Sequence, residues 1–227
     1  MDQRKEEILF TIIKEHIKTG APVGSNILVE NYNLGVSAAT VRHEMADLED
    51  EGYIRQPHTS AGRVPTERAY HLFIRGLREK KPDEAEKDYI NKAVAGKEEA
   101  NYKNTAKVLA KLSGNAVFWA FHRHNVYYTG VSDLLRQPEF RASDLIYDIS
   151  AIIDRLDEII DRNFDKIAMG VQILIGTKNP FSGFCSTITA KYKQGDHTGL
   201  LGIIGPLRMD YAKNQALLKY IYGLIDS

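Results

Sequence analysis

Residues 37–48 hold the side chains with the most chemistry at useful spacing. Val41, Met45 and Leu48 recur at i, i+4 and i+7, which predicts the buried stripe of an α-helix. The opposite face then carries Ala39, Arg42, His43 and Ala46. Alanines let a helix backbone approach the floor of a DNA major groove, where a methyl group packs on thymine and an arginine forks onto guanine. His43 can donate to a base or to a phosphate. Ser37 is a natural N-cap, and with Thr40 it stands at the positive end of the helix, where a phosphate is favoured. The acids Asp47, Glu49, Asp50 and Glu51 crowd the last turns, where each opposes the helix dipole by roughly 0.3–1 kcal/mol when exposed. That polarity fits docking through the N-terminal half. Glu44, the acid of the first half, falls beside the apolar stripe.

A second set of residues follows directly. Tyr53–Gln56 and Gly62–Val64 predict two short strands joined by the polar loop 57–61. Over 52–66 the charged residues are Arg55 and Arg63, with no acid. His58, Thr59 and Ser60 at the loop tip can hydrogen-bond phosphates, and Gly62 permits a turn or a close approach to a sugar–phosphate chain. An ordinary solvated hairpin, or a protein-binding face, has the same composition, so the signal rests on the helix before it.

The elements that would hold these groups are legible around them. Ile8, Ile12, Ile13 and Ile17 predict a first helix ended by Gly20 and Pro22. Ser25 is placed to cap a short helix over 26–31. The helix after Ser37 runs over 38–51 to Gly52. Thr66 and Glu67 open a fourth helix carrying Ala69, Tyr70, Phe73, Ile74 and Leu77. Three helices, a two-stranded ribbon and a closing helix over residues 1–78 are the order of a winged helix-turn-helix.

Residues 79–104 are charged, hold Pro82 and few large apolar residues, and read as a partly helical linker. Residues 105–227 read as α+β. Ala116–His122 and 125–130 predict a hairpin, 143–163 one long helix, and 168–175, 184–193 and 199–204 three further strands. A final helix spans 211–225. This order suggests an antiparallel sheet covered by helices on one side.

Composition bounds the function. The 227 residues allow one large domain or two small ones, and the 30 basic and 30 acidic side chains cancel. Zero net charge excludes a uniformly basic coat protein but not a local DNA-binding surface. One cysteine, Cys185, excludes an internal disulfide and a cysteine zinc cluster, and reads as a small core residue of a cytoplasmic protein. The charged start lacks the apolar core of a signal peptide, and no apolar run is long enough to span a membrane.

No set of nucleophile, base and orienter emerges, so an enzyme is not expected. His122 and His124 share a strand end but have no nearby third ligand, so neither a metal nor a cofactor is expected. Gly202–Pro206 lacks the Lys-Ser/Thr ending of a phosphate loop. Asp154, Asp157, Glu158 and Asp161 form an acidic helix face that reads as solvated surface. Phe118, Trp119, Phe121, Tyr127 and Tyr128 read as sheet core and cross-strand pairs, with a ligand pocket as the alternative.

Several of these stretches, in this order, resemble the heat-inducible transcription repressors of bacteria, the HrcA family. They are Pro22–Ser25, Ser37–Glu49, Gly52–Ile54, the loop His58–Thr66 and Tyr70 in the first part. In the second part they are Leu134–Phe140, Ile175–Gly176 with Asn179–Phe181, and Gly202–Tyr211. The resemblance implies a winged helix followed by a GAF-like domain. It implies a homodimer on an inverted-repeat operator upstream of chaperone genes, and activity supported by the chaperonin. Members of the family carry a dimerisation domain inserted into the GAF-like unit. Here Lys111–His124 leads almost directly into Asn125–Pro138, which leaves no room for it.

The expected function is therefore a sequence-specific repressor. Arg42 and His43 would read bases beside Ala39, and Ser37, Thr40, Arg55, His58, Thr59, Ser60, Gly62 and Arg63 would meet the backbone. A repressor of the same architecture responding to a small molecule, and a winged-helix module that binds protein, are the alternatives.

Overall fold

A computed structural model describes the chain except residues 59, 60, 97, 142 and 227, and the side chains of 141, 143 and 144. The chain divides into two units, Met1–Leu77 and Arg78–Ser227.

In the first unit, the Asp2 side chain accepts from the Lys5 amide at 2.8 Å and opens α1 (Gln3–Thr19). Gly20 closes it at φ 69°, its amide donating back to His16. In α2 (Ser25–Asn31) Ser25 is not the expected cap: Gly24 holds that position, and Ser25 is the buried first residue. In α3 (Ala38–Asp50) Ser37 does cap, accepting from the Thr40 amide at 3.2 Å. β1 (Ile54–Arg55) and β2 (Val64–Pro65) pair antiparallel, and α4 (Glu67–Arg75) closes the unit. Thr66 caps nothing. Its hydroxyl donates instead to the carbonyls of Gly52 and Tyr53 and fastens the ribbon to the helix start. The core gathers Ile8, Leu9, Ile12, Leu28, Val41, Leu48, Ile54 and Tyr70. Burying one such aliphatic side chain contributes roughly 1.5–3 kcal/mol, so the Val41–Met45–Leu48 stripe anchors α3 and leaves its other face outward.

The second unit begins with the segment read as a linker. Residues 79–104 instead carry α5 (Glu84–Val94), opened by an Asp83–Glu86 capping box, and the start of α6 (Glu99–Ser113). Their large apolar residues are few, but Pro82, Ile90 and Tyr102 are all buried, which suffices to dock the pair. The sheet follows. Its strands are β3 (Ala116–His122), β4 (Asn125–Thr129), β5 (Gly170–Ile175), β6 (Cys185–Gln194) and β7 (His197–Pro206), in the order β4-β3-β7-β6-β5 and antiparallel throughout. Between β4 and β5 lie α7 (Val131–Leu135), a 3-10 turn at Pro138–Arg141, α8 (Ser143–Asp154) and α9 (Leu156–Asn163). The long helix expected over 143–163 breaks at Arg155 (φ −114°, ψ 19°). The apolar phase 149, 152, 156, 160 runs on across the break, which is why the sequence reads as one helix.

The sheet is covered on both faces, not one. Trp119 and its side of β3 meet Tyr102 of α6, and α10 (Tyr211–Ile225) packs on β6. Phe118 and its side share a core with Leu134, Phe140, Ile149, Ile152, Leu156 and Ile160. β6 is accordingly buried from Cys185 to Tyr192 on alternate residues of both kinds. Among the described residues no helix is long and apolar enough to cross a membrane, and no three His, Cys, Asp or Glu gather as metal ligands.

Cys185 lies fully inside that second core, and burial pushes its thiol up to about 12. The thiolate is the reactive form. Labelling by an aromatic disulfide reagent at pH 8 is expected only after urea unfolds the chain. Stoichiometric labelling of the folded protein within seconds would contradict this burial.

Candidate nucleic-acid interface

The exposed face of α3 presents Ala39, Arg42, His43 and Ala46, all solvent-accessible. Ser37 is exposed and Thr40 half-buried, and their hydroxyls lie 3.0 Å apart. Because Ser37 already takes the Thr40 amide, and its carbonyl takes that of Val41, the first-turn amides of Ala38 and Ala39 remain as donors at the helix start. The Arg42 guanidinium reaches toward Ser25 of α2 at 3.5 Å, a weak tether that leaves the side chain exposed.

The acids at the other end of α3 have internal partners. Lys5 of α1 bridges Asp47 at 3.2 Å and Glu51 at 2.8 Å, and these carboxylates hold its ammonium well above the usual lysine range. Arg68 of α4 donates to the Glu51 carbonyl at 2.7 Å and lies over the Tyr53 ring. Glu49 fastens the ribbon: one oxygen accepts from the Gln56 amide at 2.9 Å and the other from Arg63 Nε at 2.7 Å. The acidic end of α3 thus pins the helix to α1 and to the ribbon, away from the Arg42 face.

Other expected site residues separate into two groups. Arg55 and His58 are exposed on the ribbon. Thr59 and Ser60 lie outside the described residues. Arg63 is half-buried against Glu49, so its charge is largely spent within the fold. Gly62 also has a structural reason. Val23 and Arg63 exchange two backbone hydrogen bonds of 2.8 Å, and a Cβ on Gly62 would stand 2.5 Å from the Val23 carbonyl carbon and oxygen. Neither type nor spacing marks Lys5, Val23, Glu49 and Gln56, which position the ribbon and α3, as site residues.

The C-terminal segments Leu134–Phe140 and Gly202–Tyr211 also meet. The Arg208 guanidinium forks onto Glu139 and donates to Gln137 Oε1 at 2.8 Å.

The HrcA protein C-terminal domain model matches residues 39–214. A heat-inducible transcription repressor HrcA of Desulforamulus reducens is 29% identical, over 94% of this chain and 92% of its own. That alignment runs over 321 positions, well beyond the 227 residues here, so the relative carries internal residues that this chain lacks. The HrcA repressor of Clostridium perfringens is 58% identical over 74 residues, which are 33% of this chain and 22% of that one. Among solved structures, a hypothetical protein whose crystal structure was determined at 2.2 Å superposes with a TM-score of 0.78 at 17% identity, over all of this chain and 98% of that one, and shares the fold. With a family model covering about half of the first unit and most of the second, and a relative of that family aligned over 92% of its own length, the chain belongs to the HrcA family of heat-inducible transcription repressors.

Proposed function

We propose that the first unit is a winged helix-turn-helix that holds an inverted-repeat operator, with the N-terminal half of α3 in the major groove and the ribbon as the wing. The second unit is then a GAF-like regulatory domain. The observation that carries this reading is the division of α3. Its outward face offers Arg42 and His43 between alanines, while Asp47, Glu49 and Glu51 are tied to Lys5 and to the ribbon. Arg42 and His43 read bases, and the first-turn amides of Ala38 and Ala39 donate to a phosphate at the positive helix end. Arg55 and His58 meet the backbone from the wing. The two-fold symmetry of an inverted repeat calls for a homodimer.

Gel-shift titration tests these roles. Arg42→Ala is expected to cost about 1–3 kcal/mol and to flatten base preference at one position of each half-site. Arg55→Ala is expected to weaken all sequences alike and to lower the salt slope by about one. Arg63→Ala, with its charge already spent on Glu49, is expected to leave that slope nearly unchanged. Unaltered affinity and preference in Arg42→Ala would remove α3 from the groove.

A further inference from the structure

We propose that the second unit binds a small monocarboxylate with an apolar body, in a cavity whose uncommitted polar groups are mainly hydrogen-bond donors. The cavity, of about 300 Å³, opens between the first turn of α6 and the ends of the β3–β4 and β6–β7 hairpins. That volume is at the lower end of small-molecule sites. Strand register sets its polar side. His197 of β7 stands directly opposite Gln194 of β6. Tyr192, two residues before Gln194 and on the same face, stands opposite Gly199, where a Cβ would overlap the Tyr192 ring. On the neighbouring hairpin His122 stands opposite Asn125.

Internal contacts decide which of these groups remain open to a ligand. Trp119 Nε1 donates to the Tyr192 hydroxyl at 2.7 Å, so the hydroxyl's own hydrogen turns elsewhere and meets no acceptor among the described residues. Burial pushes that phenol up to about 12, which keeps it a donor at neutral pH. The Tyr102 hydroxyl donates to Gln194 Oε1 at 2.9 Å, which commits the carbonyl and leaves the amide N–H groups. His122 Nδ1 accepts from the His124 amide at 3.4 Å, which puts the proton of the neutral ring on Nε2. The His197 imidazole has no partner among the described residues and presents its ring N–H. Glu99 is the one acid among the described residues that line the cavity. One of its oxygens meets Lys103 at 2.6 Å and the other accepts from Asn125 Nδ2 at 3.3 Å. Lys103 holds this carboxyl below the usual range. The acceptors left are Asn125 Oδ1 and the second nitrogen of His197. Four donor-bearing side chains around one opening, with the nearby acid neutralised, favour an acceptor-only group, and an ionised carboxylate is such a group. The ring carbons of Tyr102, Phe121 and Tyr192 form the rest of the wall and suit an apolar body.

Calorimetric titration of the full chain with benzoate tests this. Benzamide, the same ring without the charge, is one control, and acetate, the charge without the ring, is the other. Saturable binding of benzoate is expected, at least about tenfold tighter than either, as bonds to a charged acceptor and burial of a ring dictate. Gln194→Glu sets a second carboxylate against the ligand and is expected to weaken benzoate at least about tenfold. His197→Leu, at an exposed position, is expected to weaken it at least about threefold, the loss of one hydrogen bond. No saturable heat at millimolar benzoate overturns the proposal, and so does equal affinity for benzamide or for acetate. Unchanged benzoate affinity in both variants, folded as the parent is, overturns it as well. No DNA is present, so the outcome is independent of the operator reading.

Discussion

Replacing Gly62 with alanine is expected to destabilise the first unit by about 3 kcal/mol, at the upper end of overpacking costs. The added Cβ would meet the Val23 carbonyl carbon and oxygen at 2.5 Å and the Gly24 nitrogen at 2.9 Å. These are backbone atoms, so no side chain can swing aside. They also belong to the two hydrogen bonds that join Val23 to Arg63. Relief requires the ribbon to lift from the α1–α2 connection, which pulls Arg63 away from Glu49 and loosens the tie between ribbon and α3. Two measurements check this. Hydrogen exchange at the Val23 and Arg63 amides should accelerate by two orders of magnitude or so, as a local opening energy of this size dictates, and operator affinity should fall in parallel. Gly24→Ala is the control, because nothing lies within 4 Å of a Cβ there; its cost should stay below about 1 kcal/mol, the scale of an N-cap change. Native-like protection in Gly62→Ala would show that the bridge to Val23 does not constrain the ribbon.

That glycine illustrates where the sequence stops speaking. The stripe Val41, Met45, Leu48 and the Ser37 cap are local signals, so α3 and its outward face follow from spacing alone. By type alone Gly62 signals a turn or a close approach to a sugar–phosphate chain, because a sequence does not reveal which backbone lies against it. Arg63 suggests a phosphate contact for the same reason. Its partner Glu49 is fourteen residues away, and only the fold brings them within 2.7 Å.

Residues 79–104 read as a linker because charge dominates them, yet three buried side chains dock the helices there. In β6, Thr187, Thr189 and Lys191 alternate with Ile188 and Ala190 and make one face of the strand polar. In the structure that face lies inside, with Lys191 Nζ donating to the carbonyls of Phe164 at 2.5 Å and Ile167 at 3.1 Å. Alternation reports the period of a strand. It does not report whether a second helical layer covers the polar side.

The largest effect in the second unit is expected at Arg208. Its side chain is 11% exposed, and the guanidinium forks onto Glu139 and donates to Gln137, whose own amide reaches the Gly114 carbonyl at 3.0 Å. The segment held this way carries Phe140, which is fully buried in the core beneath α8 and α9. Arg208→Met keeps an apolar stem but leaves Glu139 partly buried without its counter-charge. Breaking one side of a buried pair costs 3–5 kcal/mol, and the 29% exposure of Glu139 lowers the expectation to about 3 kcal/mol. Arg208→Lys keeps the charge and loses the fork, so it should recover less than half of the loss. Urea unfolding followed by Trp119 emission measures all of these in the unit that contains the pair. The double variant with Glu139→Gln should be less destabilised than the sum of the single changes by more than about 1 kcal/mol, the signature of direct coupling. Additive single effects would mean that the fork contributes packing alone. The Leu134–Phe140 and Gly202–Tyr211 stretches would then be related by sequence pattern and not by the energy of this contact.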